Sequence, residues 1–209
     1  QTRPGSMPTL TYRGLPVFTE RPEETKTLTR GQERMLLTLD FDTGKTQVID
    51  TANRAFQTLE HRFLLASRAR MNAFLDFLYA LNGQQKALWL PTHAADLVLE
   101  DIAVGPSLPV KRAGYARFGL DTAGRMDILI TLADGALLAR RIVAAMEDGN
   151  IDRLAVSPEL PRPIYPEEVE RISFLTCMRL AHDDVEIEHV TDGNGVARAA
   201  LNFRGCGES

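Results

Sequence analysis

Apolar and polar residues alternate in short runs along most of this chain, and a single stretch carries the three-and-four spacing of a long helix. Met35-Leu36-Leu37-Thr38-Leu39-Asp40-Phe41 and residues 46–51 read as two strands joined by a turn at Asp42-Thr43-Gly44-Lys45. Gly44 there supplies the positive φ of a tight turn. A longer strand follows over 54–65, where Phe56, Thr58, Glu60 and Arg62 alternate with Gln57, Leu59, His61 and Phe63. The period then changes. Over 67–82, Ser67 can cap a helix whose Met71, Phe74, Leu75, Leu78 and Leu81 share one face, and Asn82-Gly83 stops it. Each of those side chains gains about 1.5–3 kcal/mol by burial, so the helix is expected to lie against a sheet.

After the helix, Lys86-Ala87-Leu88-Trp89-Leu90-Pro91 reads as a short strand ended by proline. Residues 97–104 and 110–120 read as strands flanking Gly105-Pro106, and 126–132 meets 136–146 across Asp134-Gly135. Another strand, 151–156, follows Asp148-Gly149-Asn150. Pro158, Pro161, Pro163 and Pro166 mark a stiff linker, and strands at 169–180, 185–190 and 196–203 close the chain. Asp192-Gly193-Asn194-Gly195 is the last predicted turn. Ahead of all this, residues 10–24 are rich in Pro and Gly and read as an extended arm. Its Tyr12, Leu15, Val17 and Phe18 are expected to dock on the body or on a neighbouring subunit. The predicted class is mainly β with one long helix (α+β). It takes the form of a β-sandwich or split-barrel-like domain packed on a helix, with an inserted small β domain. The expected division is a discontinuous helix-plus-sheet domain, 7–93 plus 167–209, interrupted by a β domain at 94–166.

With 44% apolar and 25% charged residues, the chain has the makings of an ordinary packed core. The formal net charge is −4 and the signs are interleaved, so no basic patch suits sequence-specific nucleic-acid binding. The most apolar stretch, 128–146, is broken by Asp134, Gly135, Arg140 and Arg141, which argues against membrane insertion. Gly5-Ser6 before Met7 reads as a tag remnant, with Met7 as the native start and no signal peptide. Cys177, in an apolar run, and Cys206, in a Gly-rich tail, read as two reduced thiols.

Candidate chemistry is sparse. The histidines are His61, His93, His182 and His189, and none falls in a metalloprotease spacing. On a strand, His182, Asp184, Glu186 and Glu188 would share a face and could hold a divalent metal. Val185 and Ile187 alternate with those acids, which is the pattern of a sheet with one wet face, so no metal site is assigned. No catalytic residue and no cofactor is expected either. Trp89 could stack on a sugar ring, but its apolar neighbours make it a core residue. Of the aromatics in the inserted region, Tyr115 and Phe118 are nearly all that a carbohydrate-binding β-sandwich, the alternative reading, could use.

One resemblance stands out. Ala73-Phe74-Leu75-Asp76-Phe77-Leu78, then Gly83, then Lys86-Ala87-Leu88-Trp89-Leu90-Pro91 is similar to a helix, glycine and aromatic-x-Pro strand of phage tail-tip proteins. The strand at 54–65 and the closing Arg171-Ile172-Ser173-Phe174-Leu175 are compatible. On these residues the chain resembles the distal tail and minor tail proteins of long-tailed phages. The likeness covers two blocks on either side of 94–166, a region the simplest members lack. It implies a non-enzymatic structural protein of the virion tail, assembled in the host cytoplasm. Copies would form a homo-oligomeric ring, commonly of six, joining the tail tube to hub and receptor-binding proteins. Ring closure needs a head-to-tail interface, for which the arm at 10–24 and the hairpin around Asp42 to Lys45 are the candidates. Six such charges around a lumen would repel DNA.

Overall fold

The computed structural model describes residues 10–23, 29–40, 46–120, 122–191 and 195–206. The protein is mainly β, with few helices and one curled sheet. The predicted turn at 42–45, residues 192–194 of the predicted turn 192–195, and the proposed start at Met7 lie outside the described residues.

Two short strands, β1 (Leu10–Tyr12) and β2 (Leu15–Val17), form a hairpin from the predicted arm. Next come β3 (Thr29–Asp40) and β4 (Thr46–Leu65), which pair antiparallel. The two strands read from the sequence at 46–51 and 54–65 are one continuous strand. Helix α1 (Arg68–Leu81) follows, and Ser67 Oγ accepts from Arg70 N–H at 3.3 Å while Asn82, at φ 53°, ends it. Then come β5 (Leu88–Pro91) and β6 (Ser107–Lys111), the short helix α2 (Tyr115–Phe118), β7 (Asp127–Leu132) and β8 (Leu137–Asp148). Strands β9 (Ile151–Ser157), β10 (Val169–Leu180), β11 (Glu186–Thr191) and β12 (Val196–Gly205) complete the chain.

The main path of the sheet runs β1-β2-β5-β10-β7-β8-β9-β6. Residues 97–104 do not form the strand that their alternation predicts. They cross irregularly, with bridges from Leu97 to Ile172 of β10 and from Leu99 to Val110 of β6. Those two bridges close β10, β7, β8, β9 and β6 on themselves, and Ile128, Ile130, Ile142, Leu154, Val110 and Ile172 fill the interior. Residues 110–120 also depart from the predicted strand. Gly114, at φ 74°, turns the backbone, and Tyr115 N–H donates to the buried Asp152 carboxylate at 3.0 Å, which starts α2. A carboxylate some forty residues distant leaves no trace in local periodicity.

Strand β10 passes from this barrel into a second core. Its Met178 and Leu180 join Phe63 and Leu65 of β4, Leu88 and Leu90 of β5, and Leu201 and Phe203 of β12 beneath α1. The helix presents Phe74, Phe77 and Leu81, with the half-buried Met71 and Leu78, to that sheet. The predicted face therefore holds at Met71, Phe74, Leu78 and Leu81 and differs in that Phe77 joins it in place of Leu75. Phe18 from the arm stacks on Phe77 with centroids 4.9 Å apart, which draws Phe77 under cover. On the opposite face of β5, Trp89 packs with Tyr12 and Val17 of the arm.

Candidate assembly surface

Consecutive apolar residues on a strand point to opposite faces, so a strand reading Leu-Leu or Val-Ile needs cover on both sides. Strand β3 has such a pair in Leu36 and Leu37, and β4 has another in Val48 and Ile49. Their register sets Leu37 opposite Ile49 and Thr38 opposite Val48, so each face of the ribbon carries large aliphatics. All four are exposed: Leu36 by 56%, Leu37 by 47%, Val48 by 59% and Ile49 by 37%.

The ribbon stands clear because its support ends. On the other side of β4, β12 pairs from Leu65 as far as Thr58. Among the described residues, β3 is β4's remaining strand partner beyond that point, and β4 is the one strand that pairs with β3. The outer edge of β3 therefore presents its backbone N–H and C=O groups to a strand from elsewhere. The root is fastened by charge and rings. Arg204 lies over the Phe56 ring at 4.3 Å and reaches Glu33 at 3.7 Å, and Arg34 Nη1 binds the Asp50 carboxylate at 2.9 Å. Gly31 faces Thr58, where a Cβ would meet Oγ1 at 2.5 Å, so the strands approach closely there.

The arm, the other sequence candidate for contact with neighbours, is consumed within the chain. Tyr12, Val17 and Phe18 are buried, and Val17 pairs in parallel with Trp89. Tyr12 Oη donates to the buried Asp127 carboxylate at 2.6 Å, and Arg13 and Arg141 approach the same carboxylate at 3.5 and 3.4 Å. Burial, then the bond to Asp127, pushes the Tyr12 hydroxyl well above its ordinary pKa. Sequence reasoning missed this clamp, since Asp127 is one acid among many until β7 is set beside the arm.

The residues weighed for chemistry fall elsewhere. Trp89 is 3% exposed, and its Nε1–H donates to Tyr12 O at 3.0 Å, so it offers no stacking platform. Tyr115 is buried against Phe174, whereas Phe118 is 77% exposed. Of the segment 182–189, Asp183 caps the turn after α1 by accepting from Gln84 N–H at 2.9 Å. Glu186 and Glu188 line a cleft of about 220 Å³ with Glu23, Arg62 and Arg198, and Val185 and Ile187 pack towards the core. Among the described residues no group of three or more His, Cys, Asp or Glu could hold a metal ion. No helix among them is long and apolar enough to cross a membrane.

His61 and His93 come together with ring centroids 6.4 Å apart. Burial, reinforced by Arg171, His61 and Arg21, lowers the pKa of His93 to about 3. Cys177 and Cys206, remote in sequence, become neighbours at the joint between β10 and β12. No family model matches the chain, and no curated protein matches it.

Proposed function

We propose that this chain is a structural component of a phage tail tip or baseplate. Copies of it form a homo-oligomeric ring that joins the tail tube to hub and receptor-binding proteins. The observation that carries the reading is the β3–β4 ribbon, with aliphatics on both faces and an open edge. A two-stranded ribbon is marginal alone in water, and each half-exposed aliphatic has roughly 1 kcal/mol to gain from cover. A second copy supplies that cover, with the ribbon as the protruding half of a head-to-tail contact that can close a ring. The likeness of residues 73–91 to distal tail proteins names the setting, the virion tail, with assembly in the host cytoplasm. The sugar-binding alternative loses its best platform, since Trp89 lies under the arm.

An antibody raised to this chain tests the placement. On purified tailed particles it should decorate the distal end of the tail, and cross-linking in the particle should join chain to chain. A chain missing from the particles, or present there as isolated copies, contradicts the reading.

A further inference from the structure

Cys177 lies on β10, and Cys206 directly follows the last residue of β12. The strands pair antiparallel in the register Leu180↔Phe203, Arg179↔Arg204 and Met178↔Gly205, so the next rung sets Cys177 across from Cys206. Cys206 N–H donates to Cys177 O at 2.9 Å, which completes that rung. Residues opposite each other in such a ladder send their side chains to one face, with Cα atoms about 4.5–5.5 Å apart, within the span that a disulfide bridges. Both sulfurs belong to the cluster around Trp89 and Leu175, and both are thiols.

We propose that Cys177 and Cys206 form an oxidative modification site. A soluble disulfide of the glutathione class converts them to an intrachain cross-link that ties the end of β12 to β10. The inference stands apart from the tail-tip reading.

Access is unequal, which sets the order of events. Cys177 is buried, while Cys206 is half-buried and lines an open cleft of about 380 Å³ with Phe56, Gln84, Arg179 and Arg204. Arg179 is exposed at that cleft, whereas the Arg204 guanidinium is held over Phe56 and near Glu33. The Arg179 guanidinium suits a carboxylate of glutathione disulfide. The Cys206 thiol loses its proton to solvent, and its thiolate attacks one sulfur of the soluble disulfide. That S–S bond breaks, and one glutathione leaves as a thiolate that takes up a proton. Cys177, deprotonated in turn, attacks the Cys206 sulfur of the mixed disulfide and expels the second glutathione. Two protein thiols are oxidised and one soluble disulfide is reduced to two thiols, so atoms and electrons balance. The closed loop holds β11 and β12, the strand between β4 and β10.

The test incubates the full chain with glutathione disulfide and follows thiol count, intact mass and non-reducing peptide maps. Expected are loss of both thiols, a mass lower by two hydrogens, a 177–206 cross-linked peptide, and a Tm rise of roughly 5–10 °C that dithiothreitol reverses. Cys177→Ser should stop at one glutathione on Cys206, and Cys206→Ser should keep its remaining thiol unmodified. If Cys177→Ser does not fold, the wild-type map and Cys206→Ser decide the matter. Glutathione adducts without the cross-linked peptide, persistence of both thiols, or ready modification of Cys177 in Cys206→Ser overturns the proposal.

Discussion

His93 shows how much a single residue can be asked to tolerate. Its backbone sits at φ 56°, and its carbonyl accepts from Arg171 Nη1 at 3.2 Å. With a pKa near 3, the ring is neutral in the fold at any pH above that value, whereas in the unfolded chain it takes a proton near 6.5. The unfolded state therefore binds the extra proton between those two values. The stability tied to this group is full above about pH 6.5 and is lost as pH falls towards 3. Asn accepts the left-handed backbone, so His93→Asn is the clean comparison. Between pH 7 and 4.5, urea unfolding of wild type should weaken more steeply than that of the variant, by up to about 1.4 kcal/mol per pH unit. Parallel curves would count against it. The Tyr12–Asp127 bond gives a second expectation. Tyr12→Phe should cost about 1–3 kcal/mol, because a buried carboxylate loses a donor. Trp89, the single tryptophan and a neighbour of Tyr12, reports the change by its fluorescence.

Elements were legible where local pattern suffices. Strand β10 runs over the predicted 169–180, and α1 begins after the predicted Ser67 cap and ends before Asn82, because caps and alternation are properties of adjacent residues. Where a distant residue decides, the pattern misled. Residues 97–104 look like a strand but bridge β10 and β6 one rung at a time, and α2 is set by Asp152. The helix face shows the same limit, since Phe18 chooses Phe77 over Leu75. Truncation separates the two directly. Phe77→Ala should cost about 3–5 kcal/mol, and Leu75→Ala, half-buried, markedly less, in denaturant unfolding. Equal costs would restore the face read from spacing alone. The pairing of Cys177 with Cys206 was hidden for a related reason: it depends on the register between strands that the chain separates by β11.

At the scale of the whole molecule, the arm and the ribbon divide the part that both sequences suggested. Both were candidates for reaching a neighbour. The arm spends Tyr12, Val17 and Phe18 on its own body, and the ribbon keeps Leu36, Leu37, Val48 and Ile49 at the surface. Of that division, the pairing of the two strands was readable from their apolar runs on either side of 42–45. The ribbon's independence was not, because it follows from where β12 stops pairing with β4. Sedimentation velocity over a concentration series up to millimolar chain, comparing wild type with Leu37→Asp/Val48→Asp, tests self-assembly through this ribbon. Wild type should move with rising concentration into one discrete larger species, while the variant stays monomeric with an unchanged melting temperature. A wild-type chain that remains a monomer throughout, or a variant that assembles just as well, contradicts the account.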